Sequence, residues 1–131
     1  MPNKIAAARL ARRAGRLTLE IMIDRKTAPH YSWGAGCDGW HLVESGTLSV
    51  IEESMPPGTA EVQHHHQKAN QFFYVLRGAL SMEVGGNEFV LDEGQGVHVS
   101  AGEVHRVSNR SAGTAEFLVV SSPPSHGDRV V

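Results

Sequence analysis

Three consecutive histidines, His64, His65 and His66, are the residues of this sequence whose type and spacing most clearly suggest chemistry. Side chains alternate between the two faces of a β-strand, so in a strand His64 and His66 project together while His65 projects away. Two imidazoles close together on one face are the usual beginning of a transition-metal site. The triplet therefore predicts a metal centre, provided that the rest of the chain supplies further ligands.

The triplet and a later stretch, residues 94–109, resemble the two motifs of the cupin superfamily. The first motif joins a glycine, two histidines, a polar residue and a closing glycine, here Gly58, His64, His66, Gln71 and Gly78. The second is carried by Gly94, Gly102, His105 and Asn109. Both motifs stand in order in a chain of 131 residues, as in a small single-domain bacterial cupin.

The resemblance implies a metal site formed by His64, His66, His105 and Gln71. Gln71 stands where the family usually has Glu, so the site keeps the full charge of its ion and gives up a carboxylate base. Gln71 either contacts the metal through its carbonyl oxygen or lies behind the histidines, and the sequence leaves both arrangements open. The cofactor is expected to be a divalent transition metal, with Fe, Ni, Zn, Mn and Cu not distinguished.

The site predicts a metal-dependent enzyme that acts on a small polar organic molecule. The expected reaction is of the sugar-acid isomerase, tautomerase or lyase type, or of the dioxygenase type. The alternative is a non-catalytic module that binds a ligand or a metal. No catalytic acid or base is assigned, because the candidates Glu61, Glu83 and Glu103 carry no distinguishing pattern. Phe73, which shares the strand alternation of Gln71, is expected to line the cavity together with Val75.

Short strands recur at regular intervals after residue 42, separated by glycine and proline turns. The expected strands are residues 47–53, 71–77, 80–84, 88–91, 96–100, 104–108 and 115–121. Gly85-Gly86-Asn87 marks a hairpin between two of them. This pattern predicts an all-β protein, and the resemblance implies a single cupin jelly-roll β-barrel or sandwich over residues 22–131.

Residues 1–21 form a basic extension that carries Lys4, Arg9, Arg12, Arg13 and Arg16 against Glu20. The arginines recur at helical spacing, and we interpret the segment as helix or as disorder. The whole chain has a net charge of −2, so the body beyond the extension is acidic and gives no reason to expect a nucleic-acid partner. The sequence contains no run of about 18 apolar residues, so no membrane anchor is expected. The lone Cys37 fits a reducing compartment, and a cytoplasmic location is expected.

Both tryptophans, Trp33 and Trp40, lie in a glycine-rich stretch that also contains Tyr31 and Cys37. Such amphipathic aromatic residues suit a cavity mouth or a subunit interface, although they also cover the end of a core. The resemblance implies a homodimer, and this stretch is its candidate interface. His41 is the histidine of this region that could reach the cavity mouth. His30, His41 and His126 are all expected to be unrelated to the metal itself.

Overall fold

The computed structural model describes residues 8–13 and 16–131, and within them the protein is built from thirteen β-strands and no helix. The all-β prediction is confirmed. In chain order the strands are β1 (Ala8–Arg13), β2 (Arg16–Ile21), β3 (His30–Trp33), β4 (Cys37–Glu44), β5 (Ser49–Met55), β6 (His65–His66), β7 (Asn70–Arg77), β8 (Leu80–Val84), β9 (Asn87–Leu91), β10 (Gly96–Val99), β11 (His105–Ser108), β12 (Ala115–Ser122) and β13 (Arg129–Val130). The described part of the chain includes no helix able to cross a membrane.

Two sheets form the body of the protein. The larger has six strands in the order β10-β7-β12-β5-β4-β3, and the smaller has three in the order β11-β8-β9. The strand β6 pairs only with β13, which brings the chain's last strand beside the histidine triplet. All pairs are antiparallel, which suits short connections between strands.

The hydrophobic core draws its side chains from both sheets. Along β12, Ala115, Phe117 and Val119 are buried at alternate positions, as the pleat requires when one face is covered. Phe117 is fully buried in the centre of the large sheet, and Leu80 and Met82 of the small sheet belong to the same cluster. The core therefore lies between the two sheets, and the metal-motif residues stand at its edge.

The turn chemistry of the sequence is reflected in the backbone. Gly85 and Gly86 take φ values of 56° and 87°, as a tight hairpin turn between β8 and β9 requires. The hairpin of β3 and β4 was not among the expected strands. Gly34 and Gly36 have positive φ and turn the chain there, so this glycine-rich stretch is strand and turn. Trp33 packs against the core, while the proposed subunit interface at this stretch stays a prediction.

The helical interpretation of the N-terminal extension is wrong for Ala8–Arg13 and Arg16–Ile21, which pair as antiparallel strands. The reason lies in the second segment, where Leu17, Leu19 and Ile21 alternate with polar residues at the period of a strand. Residues 1–7, 14 and 15 lie outside the described part of the chain. The domain boundary between residues 21 and 22 stays a prediction.

Candidate metal centre

Three buried histidine side chains converge at the edge of the core. His64 precedes β6, His66 ends it, and His105 begins β11. The backbones of His64 and His105 bridge each other through two hydrogen bonds of 3.0 and 2.8 Å. One ring nitrogen from each of the three histidines lies within 4.8 Å of the others, an arrangement that could hold a metal ion. The pairing of a local strand with a distant one is what brings the two sequence motifs together.

The hydrogen bonds of two of these histidines fix which ring nitrogen is free. His64 donates from Nδ1 to the carbonyl oxygen of Val62 over 2.7 Å, and His105 donates from Nδ1 to that of Glu103 over 2.9 Å. Each Nε2 therefore keeps its lone pair, as a metal ligand must. Nε2 of His105 is buried and has no hydrogen-bond partner among the described residues.

Burial keeps these histidines neutral. It lowers the pKa of His64 to about 4, and it also lowers the pKa values of His66 and His105, with neighbouring positive charge as a further cause. At neutral pH the three imidazoles are in the unprotonated form that binds cations.

Gln71, the fourth donor predicted from the sequence, belongs to β7 of the large sheet. Its Nε2 donates to the hydroxyl of Ser121 over 3.1 Å, its neighbour in the β7–β12 register. Its Oε1 is buried and has no partner among the described residues. A buried carbonyl without a partner is costly, and a cation beside it would remove that cost. Three imidazole nitrogens and one amide oxygen fit a divalent transition metal.

His64, His66 and Gln71 open into a cavity of about 270 Å³, referred to below as the metal cavity. Its wall is formed by Tyr31, Ile51, Glu53, Glu61, His64, His66, Gln71, Phe73, Val119, Ser121, Ser125, His126, Gly127 and Arg129. The expected position of Phe73 is confirmed. Val75 is fully buried in the core and does not line the cavity, because the strand carries it past the cavity floor.

Of the three carboxylic acids considered from the sequence, only Glu61 lines the metal cavity. Its Oε1 accepts the backbone N–H of Val107 over 3.1 Å and lies 3.9 Å from Nδ1 of His64. Burial raises the pKa of Glu61 to about 8. Glu83 instead accepts a hydrogen bond from Arg106 over 2.8 Å, and Glu103 accepts the backbone N–H of Ser100 over 2.8 Å.

Two cavity residues, Tyr31 and Glu53, were missed as candidates for chemistry. The Tyr31 hydroxyl donates to Oε1 of Glu53 over 2.9 Å. Burial raises the pKa of Glu53 to about 7, the hydrogen bond from Tyr31 acting in the opposite direction. The available signal was the alternation of Ile51, Glu53 and Met55 on one face of β5, which places a carboxyl on an otherwise apolar row.

The remaining histidines differ in whether they line the metal cavity. His65 is outside the three-histidine cluster and pairs with Val130 of β13, and His98 is exposed on β10. His126 lines the metal cavity but lies outside the three-histidine cluster, so its expected lack of a role at the metal stays a prediction. The two-residue strand β13 brings the chain end back to β6. His41 lines a second cavity of about 560 Å³ that shares Tyr31 and His126 with the first.

A family model described as "Cupin domain" matches residues 51–121, more than half of the chain. The chain belongs to the cupin domain family. The matched region contains every donor of the candidate site, namely His64, His66, Gln71 and His105. In this cupin the two histidine-containing stretches thus belong to one recognised domain.

Known proteins resemble this cupin over parts of their length. It is 32% identical over 79 residues to the tetracenomycin polyketide synthase protein TcmJ of Streptomyces glaucescens, covering 60% of this chain and 52% of that protein. It is 35% identical over 60 residues to quercetin 2,3-dioxygenase of Bacillus subtilis, covering 46% of this chain and 18% of that one. The chain therefore spans about half or less of these relatives.

Among solved structures, KdgF from Halomonas sp. is similar in fold to this cupin. The two superpose with a TM-score of 0.74 at 16% sequence identity, over 82% of this chain and 96% of KdgF. At this identity the likeness concerns the fold alone. The agreement over nearly all of KdgF supports a small one-domain cupin architecture for the described residues.

Proposed function

We propose that this protein is a metal-dependent cupin enzyme that acts on a small polar organic substrate. The ion would be held by His64, His66, His105 and Gln71. The observation that carries the proposal is the buried Oε1 of Gln71, which has no partner among the described residues and lines the same cavity as His64 and His66. The free Nε2 atoms of neutral histidines and a carbonyl oxygen without a partner are all electron-pair donors. They cannot satisfy one another, whereas a cation can satisfy all of them.

The side chains around the site determine the chemistry that the cavity favours. A bound divalent ion would act as a Lewis acid toward substrate oxygens. Gln71 adds no negative charge to the ligand set, and Arg129 places a positive charge on the cavity wall. Both features favour a substrate with a carboxylate or with several oxygen donors.

Two carboxyl groups on the cavity wall favour proton transfer as the reaction type. Glu53 and Glu61 have pKa values raised to about 7 and about 8 by burial. An acid or base works best when its pKa lies near the operating pH, so both groups suit proton transfer at neutral pH. This supports an isomerase, tautomerase or lyase acting on a sugar acid or a comparable oxygen-rich compound.

A dioxygenase is the second candidate reaction type. Its support is the 35% identity to quercetin 2,3-dioxygenase of Bacillus subtilis over the 60 residues that the two proteins share. The identity of the ion separates the two reaction types, since an open iron site can activate dioxygen whereas zinc has no redox chemistry. A non-catalytic binding module is the alternative to both.

Turnover by metal-loaded protein tests the proposal. The protein is stripped with chelator, reloaded separately with Fe²⁺, Ni²⁺, Zn²⁺, Mn²⁺ or Cu²⁺, and incubated with a panel of sugar acids, diketones and flavonoids. We expect at least one metal form to convert a panel member, with no conversion by the His64→Ala/His66→Ala double variant. A ligand-induced thermal shift without turnover on any panel member would favour the binding module.

A further inference from the structure

Glu53 occupies a position that its charge does not favour. Its neighbours on the same face of β5 are Ile51 and the fully buried Met55, and across the sheet it stands opposite Gly39 and Phe117. Moving a carboxylate to such a place costs free energy unless a partner compensates for the lost water. A carboxyl that is retained there, on the wall of a cavity with convergent histidines, is a candidate for a functional group.

Tyr31 holds one oxygen of this carboxyl in a fixed direction. Its hydroxyl donates to Oε1 of Glu53 over 2.9 Å. The phenol ring lies directly on Gly39, where even a single Cβ would overlap the ring carbons. Burial and the neighbouring Glu53 both raise the pKa of Tyr31, so the phenol stays protonated and keeps the hydrogen that it donates to Glu53.

The other oxygen of Glu53 is available for chemistry. Among the described residues, no hydrogen bond reaches Oε2. Glu61 differs, because its carboxyl accepts the N–H of Val107 and lies against His64, which suits support of a ligand histidine. The titratable or charged groups that line the metal cavity together with Glu53 are Tyr31, Glu61, His64, His66, His126 and Arg129. Cys37 on β4 also lies near Glu53.

We propose that Glu53 is the general base of the metal cavity and that Tyr31 is its positioning residue. The substrate class is a compound with a hydroxyl next to a carbonyl group, whose two oxygens suit one divalent ion. In the step, the substrate O–H bond breaks, its electron pair stays on the substrate oxygen, and the proton becomes bound to Oε2 of Glu53. The same oxygen returns the proton later, so the carboxyl is regenerated.

This inference rests on the proposed metal-dependent function, and its test counts protons rather than turnover. Acetohydroxamic acid serves as the probe, because it carries a hydroxyl next to a carbonyl group and loses the hydroxyl proton when it chelates a divalent ion. Its binding to the Zn²⁺-loaded protein is measured by calorimetry in two buffers of different ionisation enthalpy, which gives the protons released. The pH is set about one unit above the pKa of Glu53, so that the carboxyl starts ionised.

In the wild-type protein we expect almost no proton release, since Glu53 keeps the proton that the probe loses. Glu53→Gln should release about one more proton per bound probe. The matched control is Glu88→Gln, which removes an exposed carboxyl of β9 and should keep the wild-type count. Tyr31→Phe leaves the carboxyl in place but frees its orientation, and it should release an intermediate number of protons. Glu61→Gln, which removes the other carboxyl of the cavity wall, shows whether that group takes the proton instead of Glu53.

Metal analysis of each variant separates the possible failures. An unchanged proton count in Glu53→Gln, with Zn²⁺ and probe still bound, would overturn the role of Glu53, and so would a raised count in Glu61→Gln alone. If Glu53→Gln does not fold, an unchanged count in Tyr31→Phe overturns the inference instead. Wild-type protein that holds none of Fe²⁺, Ni²⁺, Zn²⁺, Mn²⁺ and Cu²⁺ would reject the proposed function, and this inference would fall with it; if it holds another of these ions but not Zn²⁺, the protons are counted with that ion.

Discussion

Gln71 donates its amide proton to the hydroxyl of Ser121 over 3.1 Å, which leaves the amide oxygen buried without a partner among the described residues. The two residues face each other across β7 and β12, at the edge of the metal cavity. Ser121 holds the nitrogen end of the amide, so the oxygen end is the one left for a ligand in the cavity. Outer partners of this kind orient a ligand and tune its affinity for a metal.

Ser121→Ala should weaken metal binding by about 10–100-fold, because the amide of Gln71 loses its orienting partner. Competition with a chromophoric chelator measures the affinity. Ser122→Ala is the matched control, since the next hydroxyl along β12 bonds the carbonyl oxygen of Thr47 at 2.9 Å and has no contact with Gln71. Equal affinities in the two variants would show that Gln71 is not held for a metal.

Gln71→Glu should bind Zn²⁺ more tightly, by about tenfold or more, because a carboxylate adds a negative charge within a few ångströms of the ion. The same change should weaken the binding of oxalate to the Zn²⁺-loaded protein, since the site loses one unit of positive charge. Calorimetry with each ligand measures both effects. Tighter oxalate binding in the variant would contradict the charge argument for glutamine at this position.

Replacing any one of His64, His66 and His105 by alanine should remove the bound metal, leaving well below about 0.3 ions per chain. Elemental analysis of purified protein measures this. His65→Ala and His98→Ala are the controls, because these histidines lie outside the three-residue cluster, and each should keep about one ion. If a control variant loses the metal while the cluster variants keep it, the metal is bound at a different site.

Gly39→Ala should lower the free energy of unfolding by about 1–3 kcal/mol, because the new methyl group displaces the phenol ring of Tyr31. Denaturant unfolding measures the change. Gly46→Ala is the matched control: a Cβ there meets no atom within 4 Å, and its effect should stay within about 0.5 kcal/mol. If both variants keep wild-type stability, the close packing of Tyr31 on Gly39 is refuted.

Glu53→Gln should change how the stability of the metal-free protein depends on pH. The pKa of Glu53 is about 7 in the folded protein against an ordinary value of 4.5, so the folded state binds this proton more tightly. The stability of the wild-type protein therefore falls as pH rises from 4.5 to 7. The variant lacks this decrease, because glutamine does not ionise. The stability of the variant relative to wild type should rise across that window and level off above it. Thermal unfolding across the pH range measures this, and a constant difference would contradict the raised pKa.

Much of the fold could be predicted because short stretches of the sequence contain the periodicity and the turn residues that determine it. The strand expected at residues 80–84 has the bounds of β8, and the neighbouring hairpin follows from two glycines that take positive φ. Strand alternation also predicted that His64 and His66, but not His65, project together, whereas His105 followed from the resemblance to the second cupin motif; the three form one cluster. These features depend on short-range periodicity and turn chemistry, which a single sequence shows directly.

Glu53 and Arg129 could not be assigned to the site from sequence for a physical reason. Glu53 shares the alternation of Ile51 and Met55 along β5, but only the register with β4 and β12 shows that this row borders the cavity. Arg129 belongs to a two-residue strand, too short to show a period, and only its pairing with His66 brings it to the cavity. Long-range pairing, which decides both positions, leaves no local pattern.

Three of the four proposed donors come from three separate sheets, and the fourth, His64, directly precedes β6. His66 belongs to the β6–β13 pair, His105 to the three-stranded sheet and Gln71 to the six-stranded sheet. An ion held by them would cross-link these sheets at a single point, and an ion that binds only the folded chain shifts the folding equilibrium by mass action. Metal supply would then control how much intact protein a cell keeps as well as how fast that protein works.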